Sequence, residues 1–206
     1  MADLTKSWLL WLLLLLPGVG TAMAEEPLEV IRQTADRMIA ELRQHRAELE
    51  ADPRQIYGLV EEIVLPRFDF ELISKYALGK YWRTATPKQR KDFIENFRSL
   101  MVRTYAHTLL NYSDEKIQYL PVRRGGNDKR VVVATKVSAS GAPPIPIDYK
   151  LYTADGSTWQ VYDVEIDGVS LVSTYRSNFD GQIRRVGVDG VLKWLVERNQ
   201  ERVSSE

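Results

Sequence analysis

Apolar positions in the first half of the chain recur at helical spacing. Leu28, Ile31, Ala35, Met38, Ile39, Leu42 and Leu49 share one face, which predicts an amphipathic helix from Pro27 to about Glu50. Asp52-Pro53 is a capping residue followed by proline at the first helical position. It opens a helix through Ile56, Leu59, Val60 and Ile63 that Pro66 stops. Phe68 to Leu78 reads as a shorter helix closed by Gly79. Thr86-Pro87-Lys88-Gln89 is a capping box with proline at its first helical position, and the helix it starts runs to about Tyr112. Phe93, Ile94, Phe97, Leu100, Met101, Thr104, Tyr105, Thr108 and Tyr112 form a wide apolar stripe along it.

The second half changes period. Lys116 to Val122, Arg130 to Ser138, Pro146 to Thr153 and Ser157 to Asp167 are β-rich runs separated by Gly, Pro, Asn and Asp. Asp155-Gly156 joins the third run to the fourth as a hairpin. In the fourth, Trp159 and Val161 occupy one phase while Tyr162, Val164 and Ile166 occupy the other, so a bulge is expected near Val161. After Asp167-Gly168 the period becomes helical, with Val172, Tyr175, Phe179, Ile183 and Val186 on one face. This Asp-Gly is therefore expected to pass a strand into a helix, not to turn a hairpin. That helix ends near Gly187, and Asp189 caps a last one carrying Val191, Leu192, Leu195 and Val196. The fold class is α+β, a curved antiparallel sheet of about four strands with N-terminal and C-terminal helices packed on its concave face.

The N-terminus adds a cellular address. Lys6, the apolar run Trp8 to Leu16 and the small-residue pattern Ala22-Met23-Ala24 read as a signal peptide over residues 1–24, cleaved after Ala24. The run is too short to span a bilayer. Residues 25–206 then form a single mature domain, helical over about 25–113 and sheet plus helix over about 114–206. The chain has no cysteine, so disulfides and a lipid-modified N-terminal Cys are excluded. Its formal net charge is zero, and loss of Asp3 and Lys6 with the leader leaves it zero. A nucleic-acid partner requires a basic face. The basic clusters, Arg123-Arg124 with Lys129-Arg130 and Arg184-Arg185, read as a solvated turn and a helix end.

Candidate chemistry is sparse. His45 and His107 lie on different helices without a metal-ligand spacing. Gly168-Val169-Ser170-Leu171-Val172 begins like a nucleophile elbow but lacks its final glycine. Asp163, Glu165 and Asp167 share a strand face. With Arg130, Lys136 and Lys150 on outward phases nearby, they read as a solvated face with cross-strand pairs, not as a calcium site. No glycine-rich phosphate loop is present. The apolar stripes fit an ordinary core or the wall of a cavity, and periodicity does not distinguish the two.

Two stretches carry a family resemblance. "LPRFDFELISKYALGKYWRTATPKQRKDFIENFRSLMVRTYAHTLLNY", from Leu65 to Tyr112, and "WQVYDVEIDGVSLVSTYRSNF", from Trp159 to Phe179, resemble the MlaC (toluene-tolerance) family of periplasmic phospholipid-binding proteins. The D-x-x-x-D/E-G-V-S-L-V segment, the "LGKYWRTAT" turn and "RTYAHTLLNY" recur in order behind a signal peptide. The resemblance implies a non-enzymatic, monomeric periplasmic carrier, with phospholipid as cargo and no cofactor or metal. It also implies a role in outer-membrane lipid asymmetry, with two partners. One is an inner-membrane ABC transporter complex with an MCE-domain subunit, and the other an outer-membrane lipoprotein-porin complex. The helices and sheet would then enclose an apolar cavity. Val164, Ile166, Val169, Leu171, Val172, Tyr175 and Phe179 would line one wall, with Tyr105, Leu109, Val131, Val133, Tyr149 and Leu151 completing it. Arg176 would stand near the mouth as a steering cation. A small enzyme or a protein-binding adaptor on a similar scaffold is the alternative.

Overall fold

The computed structural model describes residues 25–111, 115–126, 128–138 and 143–204; the expected leader and Tyr112 lie outside the described residues. Helix α1 (Pro27–Gln44) starts on proline and ends at His45, where φ −101° and ψ 18° break the expected single helix. The His45 ring sits 3.3 Å from Glu41 and 2.8 Å from Glu48. Those carboxylates raise its pKa, chiefly through the Glu48 hydrogen bond. Helices α2 (Arg46–Ala51) and α3 (Gln55–Leu59) follow. The chain then widens into a π turn, Val60–Val64, with the Leu65 N–H bonded to the Val60 carbonyl, and a 3-10 turn, Leu65–Arg67. Pro66 has no N–H to continue the ladder, so the helix expected to run to it loses α geometry as it approaches.

Helix α4 (Phe70–Leu78) is capped by Asp69, whose side chain accepts the Leu72 N–H, and ends on Gly79 at φ 56°. Helix α5 (Pro87–Leu110) carries the full capping box between Thr86 and Gln89. The Gln89 amide nitrogen also donates to Asp189 at 2.7 Å, tying the start of α5 to the middle of the chain's last helix. That helix, α6 (Leu171–Ser204), breaks at Gly187, where φ is 71° and ψ 177°.

The strands are β1 (Lys116–Tyr119), β2 (Arg123–Arg124), β3 (Arg130–Ser138), β4 (Ile145–Thr153), β5 (Trp159–Ile166) and β6 (Val169–Ser170). Among the described residues they form a 6-stranded antiparallel sheet, somewhat larger than the expected about four strands, in the order β1-β3-β4-β5-β6 with β2 also on β3. The expected first run, Lys116 to Val122, is a strand only as β1, and β2 lies just beyond its expected end, on the same edge of β3. The expected bulge is present. Leu151 pairs with Val161 and Lys150 with Asp163, which leaves Tyr162 as the extra residue. The expectation at Asp167-Gly168 is corrected. Both residues have positive φ, 49° and 79°, and Ile166 pairs with Val169 across them. This is a two-residue hairpin, whose return strand ends after two residues because the helical pattern takes over at Leu171.

Packing among the described residues divides into three apolar clusters. The first joins α4, α5 and α6 around Phe93, Phe97, Phe179, Val191 and Leu195. The second joins α1, α2, α3 and the π turn to the other face of α5, through Met38, Leu49, Ile56, Ile63 and Ala106. The third sets Val30 and Ile31 of α1 against Val131, Val133, Leu151, Trp159 and Val161 of the sheet.

Candidate functional site

Helix α1 covers only part of the sheet's inner face. The rest is presented by two cross-strand pairs, Ile147 with Ile166 and Tyr149 with Val164. These side chains form the floor of a 280 Å³ cavity. Met101, Val102, Tyr105, Ala106, Thr108 and Leu109 of α5 form a second wall, since residues three and four apart share one helical face. Val60, Val64 and Leu65 of the π and 3-10 turns, with Phe68, Phe70 and Ile73, close a third. Leu171 and Val172, at the start of α6, complete the lining.

Of the residues expected at the site, Tyr105, Leu109, Tyr149, Val164, Ile166, Leu171 and Val172 line this cavity. Val131, Val133 and Leu151 do not. They have the right strand phase but lie under Val30 and Ile31 of α1. Phe179 is core, its ring edge-on to Phe93 at 5.1 Å and to Phe97 at 5.3 Å. Tyr175 belongs with it, stacked on Phe179; it does not line the cavity, although its phenol interacts with that of Tyr105, which does. Val169, although paired with the cavity residue Ile166, is 57% exposed and does not line the cavity. Arg176 packs against Gly79 at the end of α4 and not at the cavity. The π-turn residues and Ile147 were not expected. Ile147 had a signal, alternating with Tyr149 on one strand; the π turn had none, because Val60 reads as an ordinary position on a helix.

Polar groups at the cavity are few. Among the described residues Asp163 is the only charged one in its lining, and it is buried, which corrects its assignment to the solvated sheet face. Its carboxylate accepts from Lys150 Nζ at 3.0 Å, Ser170 Oγ at 2.7 Å and the Val172 N–H at 3.2 Å. Lys150 also reaches Glu165 at 3.0 Å. Burial pulls the Lys150 ammonium down, but the hydrogen bonds to Glu165 and Asp163 outweigh it and its pKa rises. Burial, with help from Tyr175, pushes the Tyr105 phenol up to about 12. Burial also pushes the Tyr149 phenol up, against an opposing hydrogen bond with Thr135. Both phenols therefore stay neutral near pH 7, and the cavity offers neutral, mostly apolar side chains around one satisfied carboxylate.

No group of His, Cys, Asp and Glu side chains fit to hold a metal occurs among the described residues, and no helix there is long and apolar enough to cross a membrane.

Comparison with known proteins agrees with this architecture. The chain is 28% identical over 175 residues to the intermembrane phospholipid transport system binding protein MlaC of Haemophilus influenzae, covering 84% of this chain and 82% of that protein. It is 29% identical to the toluene tolerance protein ttg2D of Pseudomonas putida, covering 92% and 87%. A solved phospholipid-binding protein from Ralstonia solanacearum, in complex with a phospholipid, superposes with a TM-score of 0.79 at 30% identity, over 87% of this chain and 99% of that one. Residues 32–197 match the MlaC protein family, and the chain belongs to it.

Proposed function

We propose that this protein is a phospholipid carrier. The observation that carries the reading is the cavity between the sheet pairs and α5, apolar apart from the Tyr105, Thr108 and Tyr149 hydroxyls and one carboxylate that already accepts three hydrogen bonds. Such a lining suits acyl chains, which in water cost about 0.8 kcal/mol per methylene, on the order of 20 kcal/mol for two tails. The 280 Å³ volume is near the low end of the roughly 300–1,000 Å³ range of small-molecule pockets. It suits hydrocarbon with the headgroup left in water, and a second tail requires the walls to part. The chain is exported to the periplasm behind its signal peptide and moves phospholipid between an outer-membrane lipoprotein-porin complex and an inner-membrane ABC transporter with an MCE-domain subunit. It thereby maintains outer-membrane lipid asymmetry, and it needs no cofactor. The family relationship and the phospholipid complex of the Ralstonia protein support the cargo assignment. Solvent extraction of the purified protein followed by mass spectrometry tests it. Stoichiometric phospholipid is the expected result, and a protein that carries none would belong to the enzyme or adaptor classes.

A further inference from the structure

The first turn of α6 is a wall of the cavity, yet Leu171 and Val172 are only half-buried, whereas Phe179 and Ile183 on the same helix are fully packed. What fastens that turn is polar. Asp163 is 7% exposed. Its Oδ1 accepts the Val172 N–H at 3.2 Å, while its Oδ2 accepts Ser170 Oγ at 2.7 Å and Lys150 Nζ at 3.0 Å. Ser170 Oγ also accepts the Ser173 N–H at 3.1 Å, which carries the attachment further into the turn.

Its place in the sheet explains why this residue holds the helix. Along the outer edge of β5, Phe68 bridges Val161 at one end and β6 pairs with Glu165 and Ile166 at the other. Asp163 lies between them. We propose that Asp163 is the positioning residue of the cavity's α6 wall: its carboxylate clamps the helix start to β5, and opening that clamp lets Leu171 and Val172 move away from the sheet. The consequence for cargo rests on the carrier reading, but the clamp itself does not.

Asparagine at this position keeps the volume but cannot serve every donor. Whichever way its amide is turned, one of the two positions presents an NH₂ to a donor. In the mature chain, Asp163→Asn should speed amide hydrogen exchange over residues 171–174 by about 10- to 100-fold, leaving the α5 amides unchanged. Release of a fluorescent phosphatidylethanolamine to phosphatidylcholine vesicles should accelerate by a similar factor. Asp155→Asn is the control. That carboxylate accepts the Ser157 and Thr158 N–H groups at 2.8 and 2.9 Å in the β4–β5 turn and takes no part in the cavity. It should lower the melting temperature without changing release. Exchange over 171–174 at the wild-type rate, or release accelerated equally by Asp155→Asn, would overturn the proposal. Should Asp163→Asn fail to fold, Ser170→Ala removes one arm of the clamp and must still quicken exchange in that turn severalfold. A wild-type chain without phospholipid would sink the carrier reading alone, because the exchange rates decide the clamp by themselves.

Discussion

Leu171 and Val169 lie two positions apart with opposite surroundings, the first in the cavity wall and the second 57% exposed. Glutamate at 171 would set a carboxylate against acyl chain at a desolvation cost of several kcal/mol. Leu171→Glu should therefore abolish co-purified lipid while circular dichroism stays native. Val169→Glu should retain lipid and shift stability by no more than about 0.5 kcal/mol. Phe179→Ala tests core against wall. It empties space between Phe93 and Phe97, and should destabilise by about 3–5 kcal/mol in denaturant titration. The tyrosines predict the alkaline limit. Tyr105, pushed up to about 12 by burial, holds its proton more tightly when folded than when unfolded at about 10. Stability is then level below about pH 10 and falls between about pH 10 and 12. Tyr105→Phe should make that fall shallower, read from denaturant midpoints across the interval. At this scale the sequence carried the phase of each side chain but not its cover. Val133 and Tyr149 are direct cross-strand partners on one face, and only α1, arriving from more than a hundred residues away, makes the first core and leaves the second as cavity floor.

Elements were legible wherever the signal was local. The capping box at Thr86, the helix stop at Gly79 and the phase change that marks the β5 bulge each depend on a few adjacent residues, and each is present. The Asp167-Gly168 hairpin was obscured because its return strand is two residues long, so the helical period that follows dominated the pattern. The β1–β2 interruption was hidden for the opposite reason. Lys116 to Val122 alternates like one strand, but only Lys116–Tyr119 pairs there, and Arg123–Arg124 rejoins β3 further along. Gly187 is the clearest conformational demand in α6. Its φ of 71° with ψ of 177° is a region that essentially only glycine occupies, and no atom stands within 4 Å of an added Cβ. The cost of Gly187→Ala is thus backbone strain alone. It should destabilise by about 1–3 kcal/mol in thermal or chemical denaturation, with the cavity untouched.

At the scale of the whole molecule, the proposed function sets a kinetic requirement. A lipid whose tails lie between the sheet and α5 cannot leave through water, because an intermediate with exposed tails is tens of kcal/mol uphill. Exchange needs the cavity to open against another apolar surface. Bare membrane is a poor candidate. The formal net charge is zero, so the protein has no general attraction to anionic bilayers, and neither basic cluster faces the cavity. Arg176, the cation expected to steer docking, is packed against Gly79 instead. On the proposed reading, specific docking on a membrane complex would supply both proximity and the opening of the α6 wall. Transfer of a fluorescent phospholipid from loaded protein to plain vesicles should be slow. Transfer to vesicles carrying the purified inner-membrane complex should be faster by at least an order of magnitude, since docking replaces the aqueous intermediate. Adding the complex free in solution should leave the plain-vesicle rate unchanged, because the acceptor membrane is not then the docked one. Equal rates to plain and complex-bearing vesicles would mean that collision with lipid alone opens the cavity, and would remove the need for a partner in the transfer step.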